Sequence, residues 1–136
     1  MWALGAALGA KVAAPDKTVV SVMTDGGFVW GSPVAALWSS IAYNAPFLSV
    51  IFNNQSYAAI KRLVRGGYGE EVLPDDVAFE TGVDIVPPID YTALAASLGA
   101  WSRMVVDPAE IATALKEGMA AVKAGRPAVM DVRLQR

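Results

Sequence analysis

The feature that most limits how this chain can fold is a long stretch without charge: from Gly26 to Ile60 there is no Asp, Glu, Lys or Arg. Such a stretch must be buried, either in lipid or in protein. Its interruptions decide between the two. Gly31, Pro33, Asn44 and Pro46 break it, and Ser39, Ser40, Asn53, Asn54, Gln55 and Ser56 add polar groups. Lipid would leave the broken backbone without hydrogen-bond partners. The stretch therefore reads as a helix and a strand buried in a soluble core. The strand, Phe47-Leu48-Ser49-Val50-Ile51-Phe52, is apolar almost throughout, the pattern of a parallel-sheet strand covered on both faces.

The remaining segments alternate in the same way. Residues 3–13 form a small-residue helix whose Gly5 and Gly9, four apart, are expected to sit in close contact with a sheet. Thr18 to Thr24 is rich in β-branched residues and fits a buried strand. Asp25-Gly26-Gly27 reads as a turn, and Ser32 as an N-cap before Pro33, opening a helix to about Tyr43. After the second strand, a helix from about Ser56 to Val64 carries Lys61, Arg62 and Arg65 on its outer part. Residues 66–89 form the one long irregular segment, rich in Gly, Pro and acid (Glu70, Glu71, Asp75, Asp76, Glu80, Asp84), as functional or mobile loops often are. Asp90 caps a short helix, 91–98, that Gly99 ends. Trp101 to Val105 is a third strand. Asp107-Pro108-Ala109-Glu110 has the capping-box pattern and opens a helix to Ala124, closed by Gly125 before a last strand, Pro127 to Leu134. Strands alternating with helices give an α/β fold, a parallel sheet flanked by helices on both faces. The chain of 136 residues is the size of one domain.

Composition removes whole classes of chemistry. The net charge is −2 and the pI about 5.0, so no basic surplus draws nucleic acid or an anionic membrane. There is no Cys, hence no disulfide, thiol nucleophile or thiolate metal site, and no His, hence no Ser-His-Asp triad and no HExxH helix. The apolar start, Met1 to Ala10, lacks a basic leader and is too short to span a bilayer. A cytoplasmic protein without a membrane segment is expected.

Ligands of open α/β sheets bind beyond the carboxyl ends of the strands. Two strand ends carry unusual residues here: Thr24-Asp25-Gly26-Gly27 and Asn53-Asn54-Gln55-Ser56-Tyr57. Asp25 offers a carboxylate oxygen, Asn54 an amide oxygen, and the turn after Asn54 a backbone carbonyl. Three such oxygens with open positions suit Mg²⁺, which completes its shell with phosphate and water. Gly26 and Gly27 let backbone N–H groups come close to a phosphate. Asp-Gly-Gly alone is a common turn and Asn-Asn a common strand end. Both together, each after an apolar strand and with 26 residues between Gly26 and Asn53, point to a site.

The pair resembles the thiamine-diphosphate fingerprint, Gly-Asp-Gly followed after some 25 to 30 residues by Asn-Asn. The helix Leu4-Gly5-Ala6-Ala7-Leu8-Gly9-Ala10-Lys11 and the closing segment from Asp107 to Leu134 are similar to those of acetolactate-synthase-like enzymes and keto-acid decarboxylases. The resemblance covers nearly the whole chain and identifies residues 1–136 as the C-terminal, diphosphate-binding domain of such an enzyme, without its first strand. It implies that Asp25, the Asn54 side chain and the Ser56 carbonyl bind Mg²⁺. Gly26 and Gly27 would contact the diphosphate, with Tyr57 near the thiazolium and a 2-keto acid. It also implies a pyrimidine-binding domain or subunit that supplies the activating glutamate, and a homo-oligomer, a dimer or higher. No residue of this chain is then catalytic, and the isolated chain is expected to be inactive. Thr24 stands where the family has glycine, so crowding or backbone strain is expected there, with weakened but not abolished cofactor binding. The irregular segment 66–89 is expected near the active-site entrance. Two alternatives stay open: the separately encoded subunit of a split decarboxylase, and a non-catalytic assembly module with the same fold.

Overall fold

A computed structural model describes residues 2–69, 71 and 82–134. The elements are α1 (Ala3–Ala13), β1 (Val20–Thr24), α2 (Asp25–Trp30), α3 (Pro33–Ala42), β2 (Leu48–Asn53), α4 (Ala58–Tyr68), α5 (Tyr91–Ser97), β3 (Trp101–Val105), a 3-10 turn Pro108–Glu110, α6 (Ile111–Lys123) and β4 (Ala128–Arg133). Among the described residues the four strands are parallel, in the order β1-β2-β4-β3, so the expected α/β architecture is what the chain adopts.

The order follows from burial. β2 and β4 take the two central places and are buried along almost their full length, whereas β1, expected as a buried strand, lies at the sheet edge and leaves Val20 and Val22 exposed. Each side of the sheet has its own core. On one, Leu4, Phe28, Leu37 and Tyr91 pack over Phe47, Ile51 and Val129. On the other, Ala114 and Val122 of α6 pack over Leu48, Val50, Met130 and Val132. Gly118 lets α6 approach closely: a Cβ there would lie 3.1 Å from Leu48 Cδ1 and from Trp101 Cζ3. Among the described residues, no helix is long and apolar enough to cross a membrane.

Several local expectations need correction. Asp25-Gly26-Gly27 is not a free turn. It is the first turn of α2, entered straight from β1, because the Thr24 hydroxyl accepts from the Gly27 N–H at 3.3 Å and caps the helix. Ser32 does precede α3, but its side chain makes no capping bond, and its backbone is left-handed (φ 54°). Gly5 and Gly9 do not meet the sheet. An added Cβ would touch nothing within 4 Å at either position, and α1 packs instead through Leu4 and Ala7. α4 starts two residues later than expected and runs on through Gly66 and Gly67 to Tyr68, which shortens the irregular segment. Asp107 caps its helix as expected, yet Glu110 turns outward to Arg103 (3.3 Å), so the return half of the capping box is not used. Asp90 caps α5 through the Ala93 N–H at 2.8 Å, as expected.

Candidate functional site: one cavity at two strand ends

Thr24 pairs with Phe52 in the parallel ladder between β1 and β2, so the two strands end at the same level. The segments leaving the two strands therefore lie side by side. Asp25, Gly26, Gly27, Asn54, Ser56 and Tyr57 all line one cavity of about 650 Å³, together with Trp30, Phe52, Ile60, Arg62 and Leu134. Every site residue singled out in the sequence is in that wall.

Asp25 is 1% exposed. Its Oδ1 accepts from the Gly26 N–H at 2.8 Å. Its Oδ2 is buried with no hydrogen-bond partner. A buried carboxylate oxygen without a donor is costly unless something cationic reaches it. Gly26 is buried under the Tyr57 ring, where an added Cβ would lie 2.5 Å from Tyr57 Cε1. That ring is held in turn, since the Tyr57 hydroxyl accepts from Trp30 Nε1–H at 2.9 Å.

The second strand end is a tight loop. Asn54 Oδ1 accepts from the Ser56 N–H at 3.2 Å. Ser56 pairs with Asp84 in an isolated antiparallel bridge. The ladder bonds belong to its neighbours: Tyr57 N–H donates to Val83 O at 2.7 Å and Ile85 N–H to Gln55 O at 2.9 Å. Ser56 is thus the non-hydrogen-bonded member of the bridge, and its carbonyl is not consumed by the ladder. Asp25, Asn54 and Ser56 line the same cavity, and Asp25 Oδ2, the Asn54 amide and the Ser56 carbonyl would offer a cation there a hard, all-oxygen donor set with a single negative charge. Among the described residues no group of three or more Asp, Glu, His or Cys is placed to hold a metal ion. A cation here would need anionic ligands from outside the protein, as Mg²⁺ obtains from phosphates.

A buried polar group lies close to these residues. Asp131 is fully buried in β4, bonded to Asn53 and beside Arg133. Burial pushes its carboxyl above the ordinary value of 3.8, against the Asn53 bond and the Arg133 charge, which lower it. Burial, with the nearby Asp25 and Asp131, likewise pushes the Tyr91 phenol up. The sequence signal was a single acid inside an apolar strand. Nothing in the sequence singles out Trp30, because Asp25-Gly26-Gly27 has the composition of a turn, or Arg62, because its charge suits an outward helix face. Arg62 also lines an adjoining hollow of about 410 Å³ with Lys61, Arg65 and Asp84. Asp84 thus puts part of the 66–89 segment at the site, while Glu70, Asp75, Asp76 and Glu80 lie outside the described residues. The strain expected at Thr24 is not found: its φ of −87° and ψ of 164° are open to any residue.

Residues 2–132 match the family model described as the thiamine pyrophosphate enzyme, C-terminal TPP binding domain. The chain belongs to that family. Benzoylformate decarboxylase of Pseudomonas aeruginosa is 31% identical over 134 residues, 98% of this chain and 23% of that protein. The putative acetolactate synthase large subunit IlvX of Mycobacterium tuberculosis is 33% identical over 121 residues, 88% of this chain and 22% of that protein. The crystal structure of benzoylformate decarboxylase from Polynucleobacter necessarius superposes with a TM-score of 0.72 at 27% identity, over 98% of this chain and 22% of that one. This TPP-binding domain therefore spans less than a quarter of the length of the relatives it matches. Its family includes decarboxylases and acetolactate synthases.

Proposed function

We propose that residues 1–136 form a domain that binds Mg²⁺ and the diphosphate of thiamine diphosphate. The domain would serve a cytoplasmic enzyme that makes or breaks C–C bonds next to a keto group, by 2-keto acid decarboxylation or carboligation. The observation that carries this reading is the unpartnered, buried Asp25 Oδ2 in the same wall as Asn54 and Ser56. In this reading Asp25, the Asn54 amide and the Ser56 carbonyl hold the cation. Gly26 and Gly27, whose N–H groups are bonded to Asp25 Oδ1 and the Thr24 hydroxyl, would meet the diphosphate through backbone left open by the missing Cβ atoms, and Tyr57, fixed by Trp30, borders the thiazolium and the substrate. The cofactor, when bound, supplies a nucleophilic carbon and an electron sink. The chain's own residues bind, orient and exclude water. The activating glutamate comes from a pyrimidine-binding domain or subunit outside these residues, so the isolated chain is inactive.

Calorimetric titration with Mg²⁺ and thiamine diphosphate tests the reading. A saturable heat is expected, absent in Asp25→Ala. No heat in the wild type would favour a non-catalytic assembly module instead.

We also propose self-association through the outer face of α2 and α3. Trp30, Val34, Trp38, Ile41 and Tyr43 are all exposed there, while Ala36, Leu37 and Ser40 face the core. Burying such a surface contributes about 25 cal/mol per Å². Sedimentation should show a dimer or larger species, and a monomer at high concentration would refute this.

A further inference from the structure

β4 runs Ala-Val-Met-Asp-Val-Arg, and all but Arg133 are buried. A carboxylate in such a strand is unfavourable unless each of its oxygens is engaged. Asp131 Oδ1 accepts from Asn53 Nδ2–H at 2.9 Å. Its Oδ2 lies 3.2 Å from Arg133 Nε, near enough for an ion pair though not aligned as a hydrogen bond. Asn53 is buried too, and its amide makes a second bond: Oδ1 accepts from the Gln55 N–H at 3.0 Å. That bond closes a turn across Asn54 and helps hold Gln55 at φ 57°, a left-handed conformation that a residue with a side chain keeps only when its surroundings enforce it. Asn54 stands inside this turn, and Ser56 follows it. An apolar residue at 131 could fill the same volume. It would not orient the Asn53 amide so that Oδ1 faces Gln55.

We propose that Asp131 is a positioning residue for the cation loop: through Asn53 it fixes the turn that presents the Asn54 side chain and the Ser56 carbonyl. The inference rests on the reading of Asp25, Asn54 and Ser56 as ligands. Asp131 touches neither cation nor cofactor. It acts at a distance, as the outer partners of metal ligands commonly do, where their loss weakens metal binding about 10–100-fold.

The test uses the full chain and two readouts. Mg²⁺ is titrated at saturating thiamine diphosphate for wild type, Asp131→Leu, Asn53→Ala and the double variant. Amide exchange at Gln55 is followed by NMR without metal. Asp131→Leu, which fills the volume but offers Asn53 no acceptor, should weaken Mg²⁺ about tenfold or more. Asn53→Ala should do at least as much, and the double variant no worse than Asn53→Ala alone. Gln55 exchange should quicken in Asp131→Leu while exchange in α6 is unchanged. Ser49→Ala, which breaks the buried Ser21–Ser49 hydroxyl pair (3.2 Å) of the same sheet, should lower the melting temperature and leave Mg²⁺ affinity alone. Wild-type Mg²⁺ affinity in Asp131→Leu, or losses that add in the double variant, would overturn the proposal. If Asp131→Leu does not fold, wild-type affinity in Asn53→Ala overturns it equally. If the wild type takes up no Mg²⁺, the ligand reading has failed, and Gln55 exchange still decides: unchanged protection in Asp131→Leu rejects the positioning role.

Discussion

α6 and α4 are both amphipathic helices, and they are used in opposite ways. α6 buries Ala114, Gly118 and Val122 against the sheet core of Leu48, Val50 and Met130. α4 has no buried residue. Ile60 and Leu63, three apart on its surface, are exposed, and among the described residues its packing contact is that of Val64 with Val83. Yet Arg62 and Ile60 of α4 line the cavity, and no residue of α6 does. The side of the molecule with the dense core carries the stability, and the side with the loosely seated helix carries the site. Ligand-binding elements are commonly drawn from the less stable parts of a fold.

The comparison is broken most forcefully from the α6 side. Leu48 is fully buried at the centre of the core beneath α6. Leu48→Ala should destabilise the chain by about 2–5 kcal/mol, as such deletions do in cores that cannot collapse. The melting temperature should fall on the order of 10 °C. A loss below about 1 kcal/mol would mean that this side is no better packed than the other.

The site end has its own energetic signature, and pH reads it. The folded chain holds the Asp131 proton above the ordinary value of 3.8, chiefly through burial. Between 3.8 and the raised value, the folded state binds more protons than the unfolded state, so stability from this group falls as pH rises through that window. Asp90, exposed and lowered by the Thr92 hydroxyl and the Ala93 N–H, acts with the opposite sign below 3.8 and is weakened by solvent. Urea midpoints for wild type and Asp131→Asn across pH 4 to 7 should therefore converge or cross as pH rises, with the wild type losing ground. A constant gap would show that the Asp131 charge is not held at a cost.

How much of this was legible in the sequence obeys the same division. The core strands announced themselves as apolar runs, and the pairing of Asp25-Gly26 with Asn54-Ser56 followed from placing two such strands side by side. α2 stayed hidden because Asp-Gly-Gly is poor helix sequence. The bond that starts the helix, from Gly27 to the Thr24 hydroxyl, is visible only once the chain has turned. Gly66-Gly67 misled in the same way at the end of α4. Gly5 and Gly9 have helical spacing, but spacing cannot say whether a neighbour arrives. Asp131 was conspicuous as an acid among apolar residues. Its partner Asn53 is 78 positions away, and only the placing of β4 next to β2 joins them.

The smallest expected effect sharpens the contrast most. Leu63 is 73% exposed on α4. Leu63→Ser removes as much apolar side chain as Leu48→Ala, but from a residue that folding leaves in water. The transfer contribution that folding would recover is nearly absent, and no cavity forms. Stability should change by no more than about 0.5 kcal/mol, the usual range for surface substitutions. Urea denaturation of the two variants side by side measures the difference directly. A loss of about 2 kcal/mol for Leu63→Ser would mean that α4 is packed in solution. The division of labour between the two helices would then not hold.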